Sequence, residues 1–244
     1  IGTTVITADT ENAGTIVQNG LTVNAEKTFT NTKDITVNVT LNNLGTINNN
    51  ANFTVKGTNS LGKFSGNGIL NVAGAITADR ELAQGTINIS EDSSLINAGG
   101  ITVVDKVLNK GTFTSNAGIT GNISNEGEFT STGTITGNVT NSSTFNNNGA
   151  LTGTLTNTGS TTTSASNLLG NVSNDGTLNF AGGTYGDYTI SGIGTTVITA
   201  DTENAGTIVQ NGLTVNAEKT FTNPKAITVH VTLNNLGTIN NNAN

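Results

Sequence analysis

Five successive lines of nearly equal length follow Lys106: VLNKGTFTSNAGITGN, ISNEGEFTSTGTITGN, VTNSSTFNNNGALTGT, LTNTGSTTTSASNLLGN and VSNDGTLNFAGGTYGD. The first three have 16 residues and the fourth has 17. Each opens on an aliphatic residue: Val107, Ile123, Val139, Leu155, Val172. Asparagine follows two positions later: Asn109, Asn125, Asn141, Asn157, Asn174. Gly111, Gly127, Ser143, Gly159 and Gly176 come next, then Phe113, Phe129, Phe145, Thr161 and Leu178. A second apolar column runs through Ile119, Ile135 and Leu151, and a glycine column through Gly121, Gly137 and Gly153. A unit this short cannot bury an apolar face alone, so the lines must stack on one another.

Alternation fixes the local structure. Val107, Asn109, Gly111 and Phe113 share one side of an extended chain, and Leu108, Lys110, Thr112 and Thr114 share the other. That period of two, in a chain rich in Thr, Val, Ile and Phe, predicts strands rather than helices. Glycine and asparagine supply corners because they tolerate left-handed backbone. A sandwich or propeller would set unlike residues opposite each other. Here Asn falls on Asn, Gly on Gly and Phe on Phe, as expected when coils lie in register about 4.8 Å apart. Stacked asparagines can bond amide to amide, and stacked rings add contact. The expected fold is therefore all-β: a parallel β-solenoid, right-handed, with rungs of about 16 residues. Asn109, Asn125, Asn141, Asn157 and Asn174 are its expected structural ladder, and Phe113, Phe129 and Phe145 its core stack. The rungs between Leu61 and Val104 cannot be placed from the pattern.

A longer repeat encloses the short one. Residues 1–52 recur at 193–244 with three changes: Thr32 becomes Pro224, Asp34 becomes Ala226 and Asn38 becomes His230. Residues 1–192 read as one full tandem repeat of a continuous solenoid, and 193–244 as the start of the next. At 16 residues a rung, 192 residues would hold about twelve. The chain does not begin with Met, shows no signal peptide, and neither end reads as a solenoid cap, so a segment of a longer protein is expected.

Composition removes several classes of function. Charged residues make up 10% of the chain, against about 25% in an average globular domain. The net charge is −7 with nine Lys and Arg, so no nucleic-acid partner is expected. No Lys/Arg cluster in the sequence suits anionic lipid, and no apolar run approaches the roughly 20 residues that span a bilayer. Absence of cysteine excludes disulfides and thiol chemistry.

Candidate chemistry is sparse. The histidine, His230, is replaced by Asn38 in the first copy, which speaks for a solvent-facing strand position. Parallel β-helices that cleave polysaccharides need converging acids. Asp79, Glu81, Glu91 and Asp92, near the lone Arg80, form the one local cluster and read as solvated loops. Gly182, Gly183 and Asp187 miss the calcium-binding nonapeptide pattern, because the third glycine is Gly186 and the motif stands alone. No catalytic residue, metal site or cofactor is expected. A Thr-x-Thr ice-binding ladder would run through Thr112/Thr114, Glu128/Thr130, Thr144/Asn146, Ser160/Thr162 and Thr177/Asn179, but Glu128 and two asparagines interrupt it. Asn-x-Ser/Thr triplets start at Asn38, Asn52, Asn88, Asn122, Asn138, Asn141 and Asn171; chance supplies most of them in such a chain. Tyr185 and Tyr188 lie in a longer line, where packing is expected.

The stacked Asn-x-Gly-x-apolar lines, the tandem duplication and the absence of cysteine resemble the passenger regions of large bacterial surface adhesins, the autotransporters and filamentous-haemagglutinin-like exoproteins. The resemblance covers the whole chain. It implies secretion, display as a long rod at the cell surface, and roles in adhesion, aggregation or biofilm. It also implies that partners are a host or neighbouring-cell surface, glycan or protein, with self-association as the alternative. It transfers no binding residue, since such families bind through loops or tips. A self-assembling fibre subunit, a carbohydrate-active β-helix and an ice-binding solenoid are the competing functions.

Overall fold

The computed structural model of the protein describes residues 2–242. Among the described residues there are 28 strands, one short 3₁₀ turn at Ala165–Asn167 and no α-helix. The strands pair in parallel, each with the strand one rung further along the chain. The chain divides into two compact units, Ile1–Phe129 and Thr130–Asn244, and each is a parallel β-solenoid.

Every rung has three strand segments, here called faces A, B and C. In the first unit the face A column is Ile16, Ile35, Phe53, Leu70, Ile87, Val107 and Ile123. Face B stacks Leu21, Leu41, Asn59, Ile76, Leu95 and Phe113. Face C stacks Phe29, Ile47, Phe64, Leu82, Ile101 and Ile119. In the second unit the face A column is Val139, Leu155, Val172, Ile190, Ile208 and Ile227. Face B there holds Phe145, Thr161, Leu178, Thr196, Leu213 and Leu233. Because successive side chains alternate, these columns point inward and the residues between them point out. The inward positions form a narrow core in which Ile47, Phe53, Phe64, Phe113, Phe129, Phe145 and Leu178 are fully buried. Burying each such side chain stabilises the fold by roughly 1.5–3 kcal/mol, before entropy is counted.

The 16-residue spacing holds where the sequence shows it: Val107 pairs with Ile123, and Val139 with Leu155. Elsewhere rungs are longer and average about 18 residues. Ile35 pairs with Phe53, eighteen on, and Ile87 with Val107, twenty on. Twelve rungs per 192 residues is therefore too many; Ile16 to Ile123 spans six turns, which scales to about eleven. The extra residues leave the ladder at the corners. The longest rung shifts register between Thr102 and Lys106, and Val104 at that bulge is 79% exposed. Inward residues keep their columns, so insertion at a corner costs little.

Candidate functional site

The best-defined polar constellation lies inside the solenoid, at the second inward position of each face. On face A, Asn109 Nδ2 donates to Asn125 Oδ1 (2.7 Å), Asn141 to Asn157 (2.8 Å) and Asn157 to Asn174 (2.7 Å). All five asparagines are buried, at 0–1% exposure. Each amide donates in the direction of the chain. The same amides donate to backbone carbonyls at the corner, as Asn157 does to Gly159 (3.1 Å) and Thr177 (3.0 Å). A buried amide left unpaired is costly, so a continuous ladder is stable where an isolated asparagine is not. The first amide of the ladder shows the converse. Asn109 stacks on Ile89, which offers no donor, and Asn109 Oδ1 is buried without a partner. Phe113 and Phe129, on face B, stack with centroids 4.8 Å apart and planes 9° off parallel. Phe145 is fully buried in the same face of the second unit.

Two features of this interior are absent from the sequence pattern. First, the ladder changes face. Asn12, Asn31 and Asn49 run up face C, with Asn12 donating to Asn31 (3.0 Å) and Asn31 to Asn49 (2.8 Å). Second, amides reach across a glycine rung. Asn49 Nδ2 donates to Gln84 Oε1 (3.0 Å), past Gly66. Asn174 Nδ2 donates to Gln210 Oε1 (2.7 Å), past Gly192. Both glycines have positive φ, +125° and +113°. A Cβ on Gly66 would sit 2.0 Å from Asn49 O, and one on Gly192 would sit 2.5 Å from Asn174 O. Only glycine leaves room for the longer glutamine to span two rungs. A Gln two rungs after the last Asn is the signal that could have revealed it.

The outward side chains carry little chemistry. Asp79 and Glu81 lie at the corner between faces B and C, while Glu91 and Asp92 lie at the corner between A and B, and all four are exposed. The structure does not bring the four together. Among the described residues no group of three His, Cys, Asp or Glu is placed to hold a metal ion. Several exposed Asx side chains instead cap a neighbouring rung. Asp9 accepts from Thr28 N (2.9 Å), Asp201 from Thr220 N (2.8 Å), Asn171 from Thr189 N (2.9 Å) and Asp79 from Gly62 N (2.9 Å). Burial alone would raise the Asp79 carboxyl, but hydrogen bonds from Ser60 and Gly62 and the charge of Arg80 together hold it below the usual carboxylate value. His230 is exposed. Tyr185 is fully buried and donates to Gly170 O (3.2 Å); burial, with Tyr188 beside it, pushes its phenol well above the ordinary value. Of the seven Asn-x-Ser/Thr triplets, the one at Asn141 points into the core.

The described residues of the repeated segment keep the same register in both copies. Leu21 pairs with Leu41 and Leu213 with Leu233; Phe29 pairs with Ile47 and Phe221 with Ile239. The ladder Asn12–Asn31–Asn49 reappears as Asn204–Asn223–Asn241, with links of 2.8 and 2.9 Å. Fold and interior together define a tandem-repeat parallel β-solenoid. Compared with protein-family models, curated proteins and solved structures, the chain matches none.

Proposed function

We propose that this chain is a length-giving segment of a surface-displayed or secreted bacterial rod, whose outer faces serve adhesion or aggregation. The observation that carries the reading is the identity of the two copies: the same 52-residue block adopts the same register, ladder and corner caps in two different surroundings. A rung that depends only on its neighbours can be multiplied without a new folding problem. The solenoid interior is filled by packed side chains and laddered amides, as a spacer built from repeated rungs requires. The outward positions are mostly Thr, Asn and Ser, which keep a long rod hydrated at low charge.

The test is a series with one, two and three copies of residues 1–192, measured by electron microscopy and small-angle scattering. Each copy, at about 18 residues a rung and about 4.8 Å of rise, should add roughly 50 Å of length at constant cross-section. Particles that grow in all dimensions would refute the spacer role. Clumping of cells that display the longest version, and not the shortest, would support the adhesive part.

A further inference from the structure

Composition explains why Asn-x-Ser/Thr triplets occur in this chain, but the fold sorts the seven of them. Four, starting at Asn52, Asn122, Asn138 and Asn171, take the same place in the rung. It is the corner where face C turns into face A, one residue before the inward column of face A. The middle residue of each triplet is a member of that column, Phe53, Ile123, Val139 or Val172, and all of these are buried. Alternation then puts the asparagine and the hydroxyl residue, Thr54, Ser124, Thr140 or Ser173, on the same outer side, roughly 6.6 Å apart along the chain. Asn52, Asn122, Asn138 and Asn171 are all exposed. Asn52 and Asn122 stand four rungs apart in the first unit, and Asn138 and Asn171 two rungs apart in the second.

The other three triplets lie differently. Asn141 Nδ2 is engaged in the interior ladder, donating to Asn157 Oδ1 (2.8 Å). Asn88 is half-buried on face A and donates to Asn71 Oδ1 (3.0 Å). Asn38 stands at a register shift, where alternation breaks and the middle residue, Val39, is exposed. The corner also orients the amides it carries. Asn171 Oδ1 accepts from Thr189 N of the next rung (2.9 Å), and Asn138 Oδ1 from Thr154 N (2.9 Å) and the Thr154 hydroxyl (3.0 Å). Holding the oxygen to the next rung turns the nitrogen away from that contact. Asn52 Nδ2 donates one proton to Asp34 Oδ1 (3.0 Å) and has a second. An amide that carries a substituent on nitrogen keeps one N–H and its oxygen, so these contacts remain available. Corners already absorb extra residues without disturbing the inward columns, so bulk attached there leaves the packing intact.

We infer that Asn52, Asn122, Asn138 and Asn171 are acceptor sites for N-linked sugar on the outer corner of the solenoid. The donor is a nucleotide-activated hexose brought by a separate glycosyltransferase. Asparagine Nδ2 attacks the anomeric carbon: the C1–N bond forms, the C1–O bond to the diphosphate breaks, the nucleoside diphosphate leaves, and the amide proton passes to a base of the transferase. This chain contributes the exposed amide and the hydroxyl two residues on.

The experiment incubates the folded full chain with UDP-glucose and a soluble N-glycosyltransferase specific for Asn-x-Ser/Thr, then maps hexose by peptide mass spectrometry. Proteolytic peptides of the same chain, treated in parallel, show which triplets accept sugar once the fold is gone. In the folded chain, occupancy at each corner site should exceed that at Asn141 by roughly tenfold or more, because Asn141 reacts only through local opening of its rung. In the peptides, occupancy at Asn141 should approach theirs. Thr140→Ala should abolish sugar at Asn138 and Thr140→Ser should keep it; Thr140 is exposed, so neither should move the unfolding midpoint. Unmodified corner sites in the folded chain, equal occupancy at Asn141, or indifference of Asn138 to Thr140→Ala would overturn the assignment. Rod length per repeat is unaffected by any of these outcomes, so the spacer role stands or falls separately.

Discussion

Replacing Asn157 by Leu tests the interior ladder at its best-connected point. Asn157 Nδ2 donates to Asn174 Oδ1, Gly159 O and Thr177 O, and its Oδ1 accepts from Asn141 Nδ2 (2.8 Å) and the Thr161 hydroxyl (2.9 Å). Leucine has the same side-chain branching and is the larger residue, so no cavity arises and any overpacking adds to the polar loss. Some partners have alternatives. Asn141 Nδ2 keeps Ser143 O and Ser160 O, and Gly159 O keeps the Thr177 amide. Asn174 Oδ1 and the Thr161 hydroxyl proton lose their partners while buried, each at about 1–3 kcal/mol. The leucine returns about 1–2 kcal/mol of apolar burial. At mid-range values the net expectation is a loss of about 2.5 kcal/mol. Urea unfolding with linear extrapolation measures it, and the slope must be compared as well as the midpoint, since a solenoid can open locally. The control is Thr156→Ala, at the exposed position next door, expected within about 0.5 kcal/mol of the wild type. If Asn157→Leu matched that control, the amides would be filling space rather than holding the rungs, and the ladder argument would fail.

Three further outcomes are expected. Phe129→Asp places a charge in a fully buried stacked column and should cost more than about 4 kcal/mol, whereas outward Thr130→Lys should be nearly silent; equal loss of thermal stability would contradict the register. Gly192→Ala should destabilise by about 2 kcal/mol or more, from positive φ and collision with Asn174 O, while Gly14→Ala, with open space around it, should not; similar unfolding midpoints would deny the glycine-spanned bridge. The folded Asp79 carboxyl titrates below its unfolded value, so its contribution is full above about pH 4 and disappears as pH falls through the folded value. The difference in unfolding midpoint between wild type and Asp79→Asn should therefore shrink on acidification, and a constant difference between pH 7 and pH 2 would count against the capping role.

Much of the interior was legible because the chain repeats it. Val107, Ile123 and Val139 announce a column by recurring every sixteen residues, and parallel stacking follows once like falls on like. The rungs between Leu61 and Val104 resisted the same reading for a physical reason. Their inward residues, such as Leu70, Ile76, Leu82, Ile87 and Leu95, are as regular in space as the rest. The corners between them differ in length, and corner residues such as Val104 point into solvent, where nothing constrains their number.

The sequence alone determined strand, parallel stacking and modular repetition, because each depends on alternation and periodicity, which are one-dimensional. The tertiary structure decided what depends on which rung lies beside which. It moved the asparagine ladder from face C to face A, and bridged Asn49 to Gln84 and Asn174 to Gln210 across glycine rungs. Those neighbours are fixed by the length of each turn, and turn length is set by solvent-exposed corners that the inward pattern does not encode.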